Sequence, residues 1–160
     1  APGIDIIRAM PNTPCSIGEG TIVLAAGPSV NEQKLVEAER IFKKLGMTHI
    51  LDERHLDVVT ALAAAGPAFA FMILEALADG AVMMGLPRQA AREISAQMFQ
   101  GSARLLLQSG LHPAALKDEV TTPAGCTIAG LLIMEDGRIR STLARTIQEA
   151  TNVAGKLGQE

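Results

Sequence analysis

The stretch Asp118–Gly137, DEVTTPAGCTIAGLLIMEDG, crowds two threonines, a proline and a glycine at the mouth of an apolar, helix-like segment. Residues of these types can hold an anion. Thr122 is a good N-cap type, and Pro123 suits a first helical position. The N–H groups of Ala124, Gly125, Cys126 and Thr127 then lack intrahelical partners. They point outward at the positive end of the helix dipole, where a carboxylate or phosphate is stabilised. Gly125 lets a ligand come close to the backbone. An ordinary capped helix has the same composition and is the commoner case, so this stretch alone favours a plain cap over a ligand site.

Other chemistries find little support. No G-x-G-x-x-G and no Walker-type loop occurs, so the chain has no phosphate-cradling fingerprint. His49, His55 and His112 are scattered, and each reads as a surface or cap residue. Cys15 and Cys126 lie far apart without metal-ligand spacing. The expectation is no metal site and a reduced, cytoplasmic setting. The charged LDERHLD (Leu51–Asp57) reads as a solvated junction, and the methionines of VMMG as core packing.

The elements that must position the helix mouth are read from periodicity. Ile4–Met10 and Thr21–Ala26 are strand-like runs, separated by the loop PNTPCSIGEG. Ser29 and Glu32 have capping-box spacing ahead of a helix striped by Leu35, Ala38, Phe42 and Leu45, which Gly46 stops. Met47–Leu51 returns as a strand. This β–α–β segment is too small to be a whole sheet domain.

From about Glu53 the pattern turns helical and stays so. Ala68–Met84 is apolar almost all round, which implies burial on every side. Pro67 either starts that helix or kinks a longer one beginning near His55. Arg88–Gln108 is amphipathic, with Ala91, Ile94, Met98, Gly101 and Leu105 on one face. HPAALKD is a short helix started by Pro113, and a last helix carries the stripe Ile139, Leu143, Ile147, Ala150, Ala154 and Leu157. The fold class is therefore mainly α with a small α/β N-terminal remnant.

The chain has 160 residues, 48 % of them hydrophobic, a net charge of −3 and no basic run, Trp or Tyr. That argues against nucleic acid as a partner. The opening APGIDIIRAM has no basic region followed by a long apolar stretch, so it is not expected to act as a signal peptide. The run Ala61–Leu77 is interrupted by Gly66-Pro67 and Glu75, and reads as too short and broken for a membrane span. A helical part of about a hundred residues is small to bury an all-apolar helix alone, so a second copy is expected to cover it.

Three segments, RAMPNTP (Arg8–Pro14), GPAFAFMILEALADGAVMMGLPR (Gly66–Arg88) and HPAALKDEVTTPAGCTIAGL (His112–Leu131), resemble pyrroline-5-carboxylate reductase in order and spacing. The resemblance runs over essentially the whole chain. It implies an oxidoreductase of proline biosynthesis, reducing 1-pyrroline-5-carboxylate to L-proline with NADPH or NADH. It implies a homodimer, in some members assembled into larger rings. Residues 1–52 become the end of a dinucleotide-binding domain, and residues 53–160 the helical dimerisation and substrate domain. The phosphate-binding half is then missing, and this chain alone is expected to be inactive.

Residue by residue, the resemblance places the substrate carboxylate at the loop of Thr122, Gly125, Cys126 and Thr127. It makes Thr127 and Thr60 the hydroxyls near the reacting ring. Asn12 lies on the loop facing the nicotinamide end of the cofactor, with Glu119 near it. The chain also departs from the family pattern. Ala63, Ala64 and Ala65 stand where the family usually has Ser, Gly and Ser, and Ala124 and Cys126 replace a Gly and a Thr or Ala. These departures keep two other readings open: an inactive paralogue or dimerisation module, and a related reductase of another small acid.

Overall fold

A computed structural model describes residues 4–157, which fall into two compact units. One unit is made of residues up to Phe69 together with those from Ala144 onward; the other is Ala70–Leu143.

The first unit is built on three strands, β1 (Ile7–Met10), β2 (Gly20–Ala26) and β3 (Gly46–Ile50), in the order β1-β2-β3. β1 runs antiparallel to β2, with Met10 opposite Val23; β2 runs parallel to β3, with Leu24 opposite Ile50. The parallel return needs a crossover, and helix α1 (Glu32–Phe42) supplies it. The β-branched and apolar run of β2 takes the central position. Ile22, Val23, Leu24 and Ala25 are buried, as expected for a strand flanked on both edges.

Two local expectations are corrected. Ser29 does not cap α1: it lies inside a turn closed by the Val30 N–H on the Gly27 carbonyl, 3.0 Å. The chain therefore enters the helix at Asn31, whose side chain accepts from the Lys34 N–H at 3.0 Å. Gly46 does not stop the helix but opens β3, at φ 146°. Its Cα rests on the main chain of Gly20, where a side chain could not stand.

After a 3₁₀ turn (Glu53–His55) the chain forms α2 (Leu56–Val59), a π turn (Thr60–Ala64) and α3 (Gly66–Met83). Leu56 and Val59 pack on Val23 and Ala25 of β2, with Met10 and Ala63 at the margin. This is the core of the first unit. Helix α7 (Ile139–Leu157) brings Gly155 against the Asp57 carboxylate of α2.

Gly66-Pro67 does not break the helical run, because the π turn absorbs the irregularity. Glu53–Met83 is then one helix long and apolar enough to cross a membrane by length and composition. The sequence suggested a shorter, interrupted stretch.

The second unit holds most of α3, α4 (Arg88–Ser109), α5 (Pro113–Glu119) and α6 (Cys126–Asp136). His112 caps α5, its Nδ1 accepting from the Ala114 N–H at 3.2 Å. Gly110, at φ 66°, ends α4 in the left-handed conformation. Among the described residues of this unit only Ala78, Ala91 and Ser95 are buried. The expectation that α3 is buried on every side fails for the single chain: Phe71 is 64 % exposed and Met72 67 %. On α6, Ile133 is 72 % exposed. Helices this apolar on every side find no cover within their own unit.

Candidate functional site

The expected cap at the mouth of α6 lies elsewhere. The helix begins at Cys126, with Gly125 as N-cap in extended conformation (φ −79°, ψ 167°). Thr122 and Pro123 belong instead to a turn, closed by the Gly125 N–H on the Thr122 carbonyl at 3.1 Å. Pro123 supplies the fixed φ of the second turn position, and Ala124, at φ 57°, occupies the third, where glycine is the usual residue.

This shift changes which donors are open. The Gly125 N–H is used inside the turn. The N–H groups of Cys126, Thr127 and Ile128 have no intrahelical partner, and no side chain caps them. Three aligned donors at the positive end of an eleven-residue helix therefore face outward without a protein acceptor. Beside them stand the exposed Cys126 and the half-buried Thr127, whose hydroxyl makes no hydrogen bond among the described residues. The Thr122 hydroxyl leans over Gly125, 2.5 Å from where a β-carbon there would sit. Gly125 is thus required by its own neighbour as well as being open to a ligand.

Thr60 lies in the first unit, at the start of the π turn, and is half-buried. Its hydroxyl donates to the Leu56 carbonyl at 2.8 Å. Towards a ligand it presents lone pairs, not a proton. Asn12, in the same unit, is held at both ends of its amide. Oδ1 accepts from the Thr21 N–H at 2.9 Å, and Nδ2 donates to the Ala63 carbonyl at 3.2 Å. One Nδ2–H remains for anything else. Glu119 is the exposed last residue of α5, in the second unit.

The candidate residues therefore form two groups. Asn12 and Thr60 are joined through the π turn of the first unit, while Glu119, Thr122, Gly125, Cys126 and Thr127 line one short segment of the second. Sequence reasoning missed the link between Asn12 and Ala63. Its only signal was Pro67, which takes a donor away from a helix and leaves a carbonyl for another group to satisfy. Among the described residues, no group of three His, Cys, Asp or Glu could hold a metal ion.

Comparison with known proteins agrees with this architecture. Residues 53–157 match the family described as pyrroline-5-carboxylate reductase dimerisation. A pyrroline-5-carboxylate reductase of Schizosaccharomyces pombe is 47 % identical over 154 residues, which cover 96 % of this chain and 54 % of the relative. The structure of such a reductase from Coxiella burnetii superposes with a TM-score of 0.92 at 32 % identity, covering 96 % of this chain and 57 % of that one. A Plasmodium falciparum pyrroline carboxylate reductase with NADP bound gives a TM-score of 0.91 at 29 % identity, over 99 % of this chain and 64 % of that one. The chain spans about half the length of the curated relatives it matches. With residues 53–157 matched to the family's dimerisation domain and relatives of that name covering 96 % of the chain, the chain belongs to the pyrroline-5-carboxylate reductase family.

Proposed function

We propose that this chain supplies the substrate-binding and dimer-forming part of a reductase that converts 1-pyrroline-5-carboxylate to L-proline with NADPH or NADH. The observation that carries the reading is the uncapped mouth of α6. Three N–H donors with no protein acceptor suit the one carboxylate that substrate and product share. The names of the relatives supply the reaction, and one solved relative has NADP bound.

The residues present do not fit a whole dinucleotide. The sequence has no glycine-rich phosphate loop, and the three strands here end without one. Asn12 has one N–H left for the nicotinamide end, and Glu119 is an open acceptor. The chain's own work is to bind and orient the imino acid. The Cys126, Thr127 and Ile128 N–H groups hold the carboxylate. The Thr127 hydroxyl is free to meet a polar group of the ring. Thr60, on the first unit, offers a ligand only lone pairs, which suits a donor that arrives already carrying its proton. Orientation of this kind lowers a barrier by several kcal/mol without any protein acid.

A homodimer belongs to the same reading. The matched family is a dimerisation family, and the apolar faces of α3 and α6 are uncovered in one chain. A second copy of the helical part covers them better than lipid does, because Glu75 and Asp79 stand in the same stretch of α3. Larger rings and a cytoplasmic setting go with this proposal. The test is a reductase assay of the full-length protein containing this chain. Oxidation of NADPH with 1-pyrroline-5-carboxylate, yielding proline, is expected; a full-length protein that folds and dimerises but does not turn over contradicts the reading in favour of an inactive dimerisation module.

A further inference from the structure

Pro67 has no N–H, so the helical ladder loses a donor at the start of α3. The next residue does not make up the loss, because the Ala68 N–H goes to the Ala65 carbonyl at 3.0 Å. Ala65 in turn reaches back to the Thr60 carbonyl at 2.9 Å, the long bond that defines the π turn. Among the described residues, the Ala63 carbonyl is left with no main-chain donor. A half-buried carbonyl without a partner is costly. The donor that fills it comes from the loop after β1, 51 residues earlier in the chain: Asn12 Nδ2, at 3.2 Å.

The other end of the same amide accepts from the Thr21 N–H on β2, at 2.9 Å. A main-chain N–H only donates and a carbonyl only accepts, so the orientation of the amide is fixed without ambiguity. One side chain thus ties the central strand of the sheet to the inside of the π turn. Thr60 begins that turn, and its own carbonyl closes it. Single π turns inside α-helices are frequent at functional sites.

We infer that Asn12 is a positioning residue: by bonding the carbonyl that Pro67 leaves free, it holds the π turn and so aims the Thr60 hydroxyl. The aiming claim rests on the proposed role of Thr60; the link through the freed carbonyl does not. Asn12→Ala removes both bonds. Thr60→Ala removes the group being aimed. Pro67→Ala restores an N–H that can reach the Ala63 carbonyl, and so makes the Asn12 donor dispensable.

Two cycles on the full-length protein test this. In steady-state kinetics Asn12→Ala lowers kcat roughly ten- to hundredfold, the effect of a misaimed group. In a Thr60→Ala background the same change costs less than about twofold, since two changes on one path do not add. An undiminished loss in that background overturns the inference, because Asn12 then acts independently of Thr60. In urea unfolding, Asn12→Ala lowers the midpoint in the wild type and lowers it less in Pro67→Ala; equal drops overturn the link. If the wild-type protein shows no reductase activity the functional reading fails, and the unfolding cycle alone then decides whether Asn12 holds the turn.

Discussion

Ala124 sits at φ 57°, which costs an L-residue with a β-carbon about 1–2 kcal/mol relative to glycine. Ala124→Gly removes that cost and restores some unfolded-state freedom. The expected net is a stabilisation of about 0.5–1 kcal/mol in urea unfolding; a loss of stability means that the turn is not set by the backbone at this residue. Thr127→Val keeps the shape and removes the hydroxyl. In the full-length protein it lowers kcat/KM for 1-pyrroline-5-carboxylate roughly ten- to hundredfold, the value of a hydrogen bond to a charged ligand, with the dimer intact. Unchanged kinetics exclude the hydroxyl from the site. The types at this mouth were legible in the sequence, but the cap was not. Thr-Pro begins a helix and begins a β-turn equally well, and the choice fell to the turn through the Gly125 N–H bond to the Thr122 carbonyl, in spite of the positive φ at Ala124. The helix therefore starts three residues beyond Pro123, and the open donors move to Cys126, Thr127 and Ile128.

At the scale of elements, strands and helices followed their periodicity, because β2 is flanked on both edges and α1 has one covered face. Their ends did not, for local reasons. Ser29 and Asn31 are both cap types, and the turn bond from Val30 to Gly27 decides for Asn31. Asn31→Ala should cost about 1 kcal/mol in chemical denaturation, and Ser29→Ala much less; the reverse order puts the cap back at Ser29. Gly46→Ala places a side chain where φ 146° admits almost only glycine and where the Gly20 main chain already stands. A destabilisation of about 1–3 kcal/mol or more is expected, and a neutral result contradicts the close crossing of β2 and β3. The π turn was out of reach of periodicity, because the bond that satisfies it comes from Asn12, far away in sequence.

At the scale of the whole molecule, the apolar character of α3 was plain in the sequence, whereas the place of its cover was not. Periodicity reports that a surface is to be buried; it does not say whether the same chain or another buries it. In one chain Phe71, Met72 and Ile133 are exposed, and the matched family is a dimerisation family. Sedimentation should show a homodimer at micromolar concentration, with an apolar interface above about 2,000 Å²; a stable folded monomer contradicts it. This chain alone, without a phosphate loop, should leave NADPH fluorescence unchanged at micromolar concentration, and tight binding would show that the dinucleotide is held here in an unexpected way. The central claim is that the mouth of α6 holds the carboxylate, and the most direct measurement is a proline titration of the full-length protein, wild type beside Cys126→Pro. Proline suits a first helical position, and the extended Gly125 before it accommodates the ring, so the variant removes one donor and leaves the helix standing. Loss of one charge-assisted bond weakens proline binding roughly ten- to hundredfold. A variant that folds, dimerises and binds proline as tightly as the wild type contradicts the account.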